Sequence, residues 1–435
     1  MPCKYFLCDN DASARELKTW LASRSTSAGD ETQRKVQDII NNVRQQRDQA
    51  LVDYTRRYDC PEFNASMLTV SAREIKAASA SVAPDFFSIL SEAAKNIRDF
   101  HQRQKTGSWI EPATNGTVLG QLVTPIQRVG LYVPGGRGGT TPLISSLLMT
   151  AIPAQVAGVE HIAIASPPQK NGQISPYILA AADMLGIETV YRLGSAWAIA
   201  ALAIGTQSVA PVDVIAGPGN LFVATAKRLV MGEVGIDMIA GPSEIAILAD
   251  AGANPVWLAA DMLSQAEHDP HASALLITDS RDILDKTQKE LERQLESLPR
   301  AELAEKSLRD WGALIEVPSI PAGLELTNLL APEHLQLCVE NAWDFICGVK
   351  NAGAVFLGHF APEAVGDYFA GPNHVLPTLG GARFSSALGV ETFVKKTSLI
   401  STNADYIRAH GQKIAKMARL EALEAHARSI ETRTQ

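Results

Sequence analysis

The chain has 435 residues, about three domains' worth at roughly 150 residues each, and a composition 46% apolar and 20% charged excludes a disordered or fibrous protein. With 39 basic against 47 acidic residues the formal charge is −8, so no global basic field awaits a nucleic-acid backbone. The longest apolar run, residues 196–204, is far short of the ~18 residues of a membrane span, and the start mixes Lys4, Asp9 and Asp11 without the apolar stretch of a signal peptide. A cytoplasmic enzyme that binds neither nucleic acid nor membrane is expected. Cys3, Cys8, Cys60, Cys338 and Cys347 show no CxxC spacing and read as reduced thiols.

In chain order, residues 1 to about 110 are polar with helical periodicity, as where Val36, Ile39, Ile40, Val43, Leu51 and Tyr54 recur on one face of 32–57. From Arg128 short β-rich runs alternate with Ala/Leu-rich segments. Strands are predicted at 129–133, 161–166, 189–193 and 212–216, with helices near 142–157, 176–185, 196–204 and 221–229. That is the alternation of βαβ units and a parallel sheet. A second alternation puts strands at 238–249, 274–278, 313–317, 335–339 and 354–357, with helices at 255–268 and 281–298. From Thr392 the chain reads as a polar helical tail whose apolar positions are Ile407, Ile414, Ala415, Leu420, Leu423 and Ala427. The expected class is α/β, with two Rossmann-like lobes, parallel-rich sheets, an N-terminal helical arm and a C-terminal helical extension.

Several segments could carry chemistry. Val133-Pro-Gly-Gly-Arg-Gly-Gly-Thr-Thr-Pro142 joins a predicted strand to a predicted helix, where backbone N–H groups could meet an anion, although its spacing is not GxGxxG and a plain flexible loop fits equally. Ala216-Gly-Pro-Gly-Asn220 and Ala240-Gly-Pro-Ser-Glu244 fall at strand ends, where open α/β sheets bind ligands, so Asn220 and Ser243 would face that crevice; tight turns alone would also use these residues. In Ser264-Gln-Ala-Glu-His-Asp269, Gln265 and His268 stand at i and i+3 on one helical face and could converge on a cation or substrate.

Leu330-Ala-Pro-Glu-His-Leu335 puts Glu333 beside His334. In a regular strand the two would point to opposite faces, so sharing a site requires a backbone bend. Together they could supply a base for substrate and an activator for water. Asp367 reads as a carboxylate in a loop after a strand, and His374 as a ligand or a loop-stabilising group. Glu421 and His426 fall on the polar tail. Gln265, His268, Asp367 and His426 form an oxygen- and imidazole-rich set suited to zinc or manganese.

Taken together, Gly130-Leu-Tyr-Val-Pro-Gly-Gly136, Gly217-Pro-Gly-Asn220, Gly241-Pro-Ser-Glu244, Ser264-Gln-Ala-Glu-His268, Ala331-Pro-Glu-His334, Gly366-Asp367, Gly371-Pro-Asn-His-Val-Leu-Pro377 and Glu421…Ala425-His426 resemble the histidinol dehydrogenase family over residues 30 to 430. The resemblance implies one zinc ion per site on Gln265, His268, Asp367 and His426, with His426 supplied across the interface of an intertwined homodimer. It implies His334 as general base and Glu333 as water activator. Substrate contacts would come from Ser243, Gln265, His268, His334, Asp367, Glu421 and His426, and NAD contacts from Tyr132 and Asn220.

At residues 193–199 the family pattern Gly-Gly-Ala-Gln is replaced, and Trp197 stands where a glutamine contacts NAD. An indole cannot reproduce the amide's hydrogen bonds. It could stack on the cofactor or simply pack at the lip of the lobe. The implied domains are an arm at 1–30, a first α/β lobe from 31–128 with 238–380 holding the metal and catalytic residues, an NAD-side lobe at 129–237, and an extension at 381–435 packing on the partner subunit.

The expected reaction is oxidation of a small amino alcohol, L-histidinol, through the aldehyde to L-histidine with NAD. A related zinc and NAD enzyme of another alcohol, such as a dihydroxypropanesulfonate, is one rival, which Glu421 opposes because a carboxylate repels a sulfonate. A metal-dependent hydrolase is another. A non-catalytic binding protein, its nucleotide site blocked by Trp197, is the third.

Overall fold

The computed structural model describes residues 3–24, 29–135 and 142–434. Most of the glycine-rich segment, residues 136–141, lies outside the described residues, so its anion-binding reading is not addressed. The strands are β1 (Lys4–Leu7), β2 (Trp109–Pro112), β3 (Val118–Pro125), β4 (Arg128–Tyr132), β5 (His161–Ser166), β6 (Thr189–Arg192), β7 (Val214–Ala216), β8 (Gly235–Ile236), β9 (Glu244–Ala249), β10 (Ser273–Thr278), β11 (Ala313–Glu316), β12 (His334–Cys338), β13 (Ala354–Leu357) and β14 (Val394–Ser401).

Two parallel sheets dominate. One runs β6-β5-β4-β7-β8 and the other β1-β11-β10-β9-β12-β13, while β14-β3-β2 form a small antiparallel sheet. In both large sheets the order reverses beside the first central strand, at β4 and at β9, which is the doubly wound arrangement. Helices cover both faces, and the central strands are accordingly apolar without alternation: Ile245, Ala246, Ile247, Leu248 and Ala249 of β9 are all buried.

Three expectations about organisation are corrected. The first thirty residues are not a helical arm: β1 pairs in parallel with β11 as the edge of the six-stranded sheet, and the helix Asp11–Ala22 follows it. The region 31–128 does not belong to the lobe of the six-stranded sheet, where the metal and catalytic residues were expected. Helix Asp30–Gln46 packs on Ser195–Ile204 and Leu221–Val230, Ala72–Ser81 packs on Pro176–Met184, and Pro84–Gln102 packs on Ile144–Ala157, so these helices cover the five-stranded sheet. The cause is complementary surface: the stripe Val36, Ile39, Ile40 and Val43 joins one core with Ala198, Ile199, Ala201 and Val223. The extension is not wholly helical either. Val394–Ser401 is a strand along β3, and Leu388, Val390 and Phe393 plug the core of the five-stranded lobe.

Two local differences position the site. The strand expected at 238–249 begins only at Glu244, because the Gly241-Pro242 turn precedes it. The continuous helix expected at 32–57 is broken at Arg47, whose φ is 53°.

Candidate active site

The candidate catalytic residues gather at the N-terminal ends of β9 and β12, which lie side by side with His334 opposite Ile245. Helix Ile320–Leu330 stops at Ala331, in the left-handed region at φ 53°, and Pro332 then turns the chain into β12. This is the backbone bend the sequence required. Glu333 precedes the strand instead of alternating within it. Gly353 makes room beside it, since a Cβ there would meet the Glu333 carbonyl oxygen at 2.6 Å.

Both side chains are tied to one residue. Glu333 Oε2 accepts from the Glu244 N–H at 2.8 Å, and His334 Nδ1 lies 2.9 Å from the Glu244 carbonyl oxygen. A carbonyl only accepts, so Nδ1 carries the proton and Nε2 is left as the basic nitrogen. That Nε2 is buried and, among the described residues, has no partner. Burial pushes the imidazole down to about 4, so it is neutral near pH 7. The Glu244 carboxylate is itself ion-paired with Arg24.

Next to this pair is a cluster of acids. Gln265 ends helix Pro255–Ala266 and is fully buried, and His268 follows one turn later, with its N–H donating to the Gln265 carbonyl oxygen at 3.2 Å. Asp367 is on the short helix Glu363–Tyr368, not in a loop. That helix also brings Glu363, which the sequence reading missed, although its place four residues before Asp367 puts both on one helical face. Ligand atoms of His268, Glu363 and Asp367 lie within 4.8 Å of one another.

Burial and then mutual repulsion raise Glu333 and Glu363 well above the usual carboxylate range. Burial lifts Asp367 to about 6, against the pull of His268. Among the described residues no Lys or Arg pairs with any of the three. Clustered carboxylates with an amide, an imidazole and no cationic side chain are what a divalent cation would satisfy.

The other expected contacts are placed as follows. Ser243 immediately precedes Glu244, and its carbonyl oxygen accepts from the Ser273 N–H at 3.0 Å. His374 serves the loop: its Nδ1 lies 3.1 Å from the Asp367 carbonyl oxygen and its Nε2 lies 3.4 Å from Ser146 Oγ. Glu421 and His426 are exposed on the tail, and His426 does not join the acid cluster of its own chain. Helices Ala404–Leu420 and Glu424–Glu431 pack on each other, and Leu420 is 81% exposed at their junction.

On the five-stranded lobe, Tyr132 is buried, its hydroxyl accepts from the Ser195 N–H at 3.1 Å, and burial pushes it up to about 12. Asn220 Oδ1 caps helix Leu221–Val230 by accepting from the Phe222 and Val223 N–H groups at 3.0 and 3.1 Å, so only its amide nitrogen is left for a ligand.

Trp197 corrects an expectation. It is 4% exposed, stacks on Tyr54 and Tyr58 with centroids 5.7 Å away in each case, and donates from Nε1 to Thr55 Oγ1 at 3.1 Å. An indole so enclosed has no face for a nucleotide, and it is packed into the core instead of blocking a crevice.

The histidinol dehydrogenase family model matches residues 22–434. A histidinol dehydrogenase of Nitratidesulfovibrio vulgaris is 54% identical over 433 residues, covering 100% of this chain and 99% of its own. The histidinol dehydrogenase of Bacillus subtilis is 50% identical over 411 residues, 94% of this chain and 95% of its own. The crystal structure of histidinol dehydrogenase from Elizabethkingia anophelis superposes with a TM-score of 0.92 at 36% identity, covering 99% of this chain and 98% of that one.

Proposed function

The chain belongs to the histidinol dehydrogenase family of NAD-dependent oxidoreductases, and from that premise we propose that it oxidises L-histidinol through L-histidinal to L-histidine at the site formed by Glu333, His334 and the neighbouring acid cluster. The observation that carries this reading is the His334 imidazole, held at Nδ1 by the Glu244 carbonyl and free at Nε2 beside that cluster.

The residues fit the two resident groups of the family. Zinc would be held by Gln265, His268, Asp367 and the His426 of a second subunit, and NAD would lie against the C-terminal edge of the five-stranded sheet near Asn220. When bound, the metal would supply a positive centre that orients the substrate, and NAD would supply the hydride acceptor. His334 Nε2 takes the proton of the substrate hydroxyl in the first oxidation. Glu333 takes a proton from water, so that the water can add to the aldehyde, and His334 takes the hydroxyl proton of the resulting hydrate in the second.

Glu421 and the partner's His426 would close the site from the tail, whose exposed apolar residues Met417, Leu420 and Leu423 suit burial against another subunit. No helix among the described residues is long and apolar enough to cross a membrane, and a biosynthetic enzyme drawing on the NAD pool fits the cytoplasm.

Incubating the zinc-loaded protein with L-histidinol and excess NAD tests the reading. Two NADH formed per histidinol consumed, with histidine as the product, is the expected result. One NADH per substrate, or no turnover of histidinol, would overturn it.

A further inference from the structure

Glu363 has no role in the reaction as derived, yet it holds a costly position. Its side chain is 3% exposed, no Lys or Arg among the described residues pairs with it, and Asp367 and Asp261 both act to repel its charge. A carboxylate kept under those conditions costs stability unless it does something a neutral residue cannot.

Its contacts show what that is. The Gln265 amide, oriented by its hydrogen-bond partners, donates from its nitrogen to both oxygens of one carboxylate, with Nε2 at 3.1 Å from Glu363 Oε1 and 3.2 Å from Oε2. With Glu363 ionised, as beside a bound cation, the reverse orientation would bring the amide oxygen against two carboxylate oxygens, where nothing can donate. Divalent cations bind an amide through oxygen, because its nitrogen has no available lone pair. Gln265 therefore works as a ligand in only one of its two orientations, and Glu363 selects that one.

We propose that Glu363 is the positioning residue of the metal centre: its bidentate grip on the Gln265 amide nitrogen turns the amide oxygen toward the cation. The inference rests on the metal reading given under the proposed function. It gives the short helix Glu363–Tyr368 two tasks four residues apart, Asp367 as a ligand and Glu363 as the group that aims a ligand on another helix. Glu363 Oε1 also lies 3.8 Å from His334 Nδ1, so the same carboxylate adjoins both the metal ligands and the base.

A double-mutant cycle on the full-length protein separates this role from direct ligation, which the closeness of Glu363 to His268 and Asp367 would also allow. Zinc dissociation constants are measured by competition with a chromophoric chelator for wild type, Glu363→Ala, Gln265→Ala and the double variant. The near-isosteric Glu363→Gln is included in case the alanine variant does not fold, and the melting temperature of each metal-free protein is recorded.

Glu363→Ala should weaken zinc by about 10–100-fold, the range of partners that orient ligands, while the metal-free protein melts no lower than wild type. The double variant should bind no more than about threefold more weakly than Gln265→Ala, because Glu363 acts only through that amide. Wild-type zinc affinity in both Glu363 variants would overturn the proposal. So would losses that multiply in the double variant, which would make Glu363 an independent ligand. A wild-type protein that binds no zinc would instead remove the metal reading on which it depends.

Discussion

The Nδ1 atom of His334 lies 2.9 Å from the carbonyl oxygen of Glu244, a backbone acceptor that fixes which nitrogen of the imidazole is protonated. The strand neighbour thus sets which nitrogen is left unprotonated, and burial keeps the imidazole neutral near pH 7. Glu333, tied to the same residue's N–H at 2.8 Å, is a carboxyl on the adjoining backbone unit. The proposed mechanism gives the two groups different tasks, so their variants should differ in kind. His334→Asn should slow both oxidations by about 10²–10⁴-fold, the usual worth of a positioned base. Glu333→Gln should spare oxidation of histidinol to the aldehyde relative to oxidation of supplied histidinal. Single-turnover rates for each substrate measure this, and equal losses in both steps for Glu333→Gln would refute the division.

Lys227 and Asp237 form an ion pair with side chains only 3% and 1% exposed, and between them they hold the two peptide groups that flank Gly217. Asp237 Oδ2 accepts from the Gly217 N–H at 2.8 Å and Lys227 Nζ donates to the Gly217 carbonyl at 3.0 Å. Gly217 itself has φ 121° and no room for a Cβ, which would meet the Tyr132 carbonyl oxygen at 2.2 Å. Lys227→Met leaves a buried, uncompensated carboxylate and should cost about 3–5 kcal/mol. Replacing both partners by apolar residues should cost less than either single change. Chemical denaturation of the three variants checks the order, and additive losses would show that the pair is not coupled.

Trp197 occupies a position where the family pattern has glutamine, yet the indole is enclosed by Tyr54, Tyr58 and Thr55. Restoring the family residue should therefore damage the core without gaining a cofactor contact. Trp197→Gln empties much of a packed aromatic volume and is expected to cost about 3 kcal/mol or more, with no increase in NAD affinity. Calorimetric titration with NAD beside a thermal melt decides it: tighter NAD binding by the variant would mean that residue 197 does reach the cofactor.

The sequence disclosed the parallel strands to within a residue or two where apolar runs were bounded by glycine or proline, as at 161–166 and 313–317. It also pointed to Gln265 and His268, although His268 lies in the turn beyond the end of helix Pro255–Ala266 and not on its face. What stayed hidden depended on partners distant in the chain. The strand Val394–Ser401 carries Lys395, Lys396, Thr397 and Ser398, so no apolar alternation marks it, and only pairing with β3 makes it a strand. The helices of residues 30–102 show their apolar stripes but not which sheet they cover. Glu363 was legible in principle, four residues before Asp367, but reading Asp367 as a loop residue removed the helix that relates them.

Asp59 offers a stability test remote from the acid cluster. Burial pushes its carboxyl from an ordinary 3.8 up to about 7, and its buried Oδ2 has no hydrogen-bond partner among the described residues. The folded state thus prefers the protonated acid. Its contribution is intact below the unfolded value and is lost as pH rises through about 7. Asp59→Asn, neutral at every pH, should melt with wild type near pH 4 and above it at pH 8. Differential scanning of both proteins across that range tests the sign, and a difference independent of pH would show that Asp59 titrates normally.

His426 and Glu421 are exposed on their own chain while His268, Glu363 and Asp367 gather far along the sequence from them. If a partner's tail completes each site, two variants broken in different halves should repair one another. His426→Ala disables the tail and leaves the base and the acid cluster intact; His334→Asn disables the base and leaves the tail intact. In a mixed dimer one site combines both defects and the other has neither. Co-refolding the two inactive proteins should therefore restore part of the activity, with a wild-type KM for histidinol in the restored fraction. Mixtures as inactive as their components, despite dimers demonstrated by mass, would mean that each chain completes its own site.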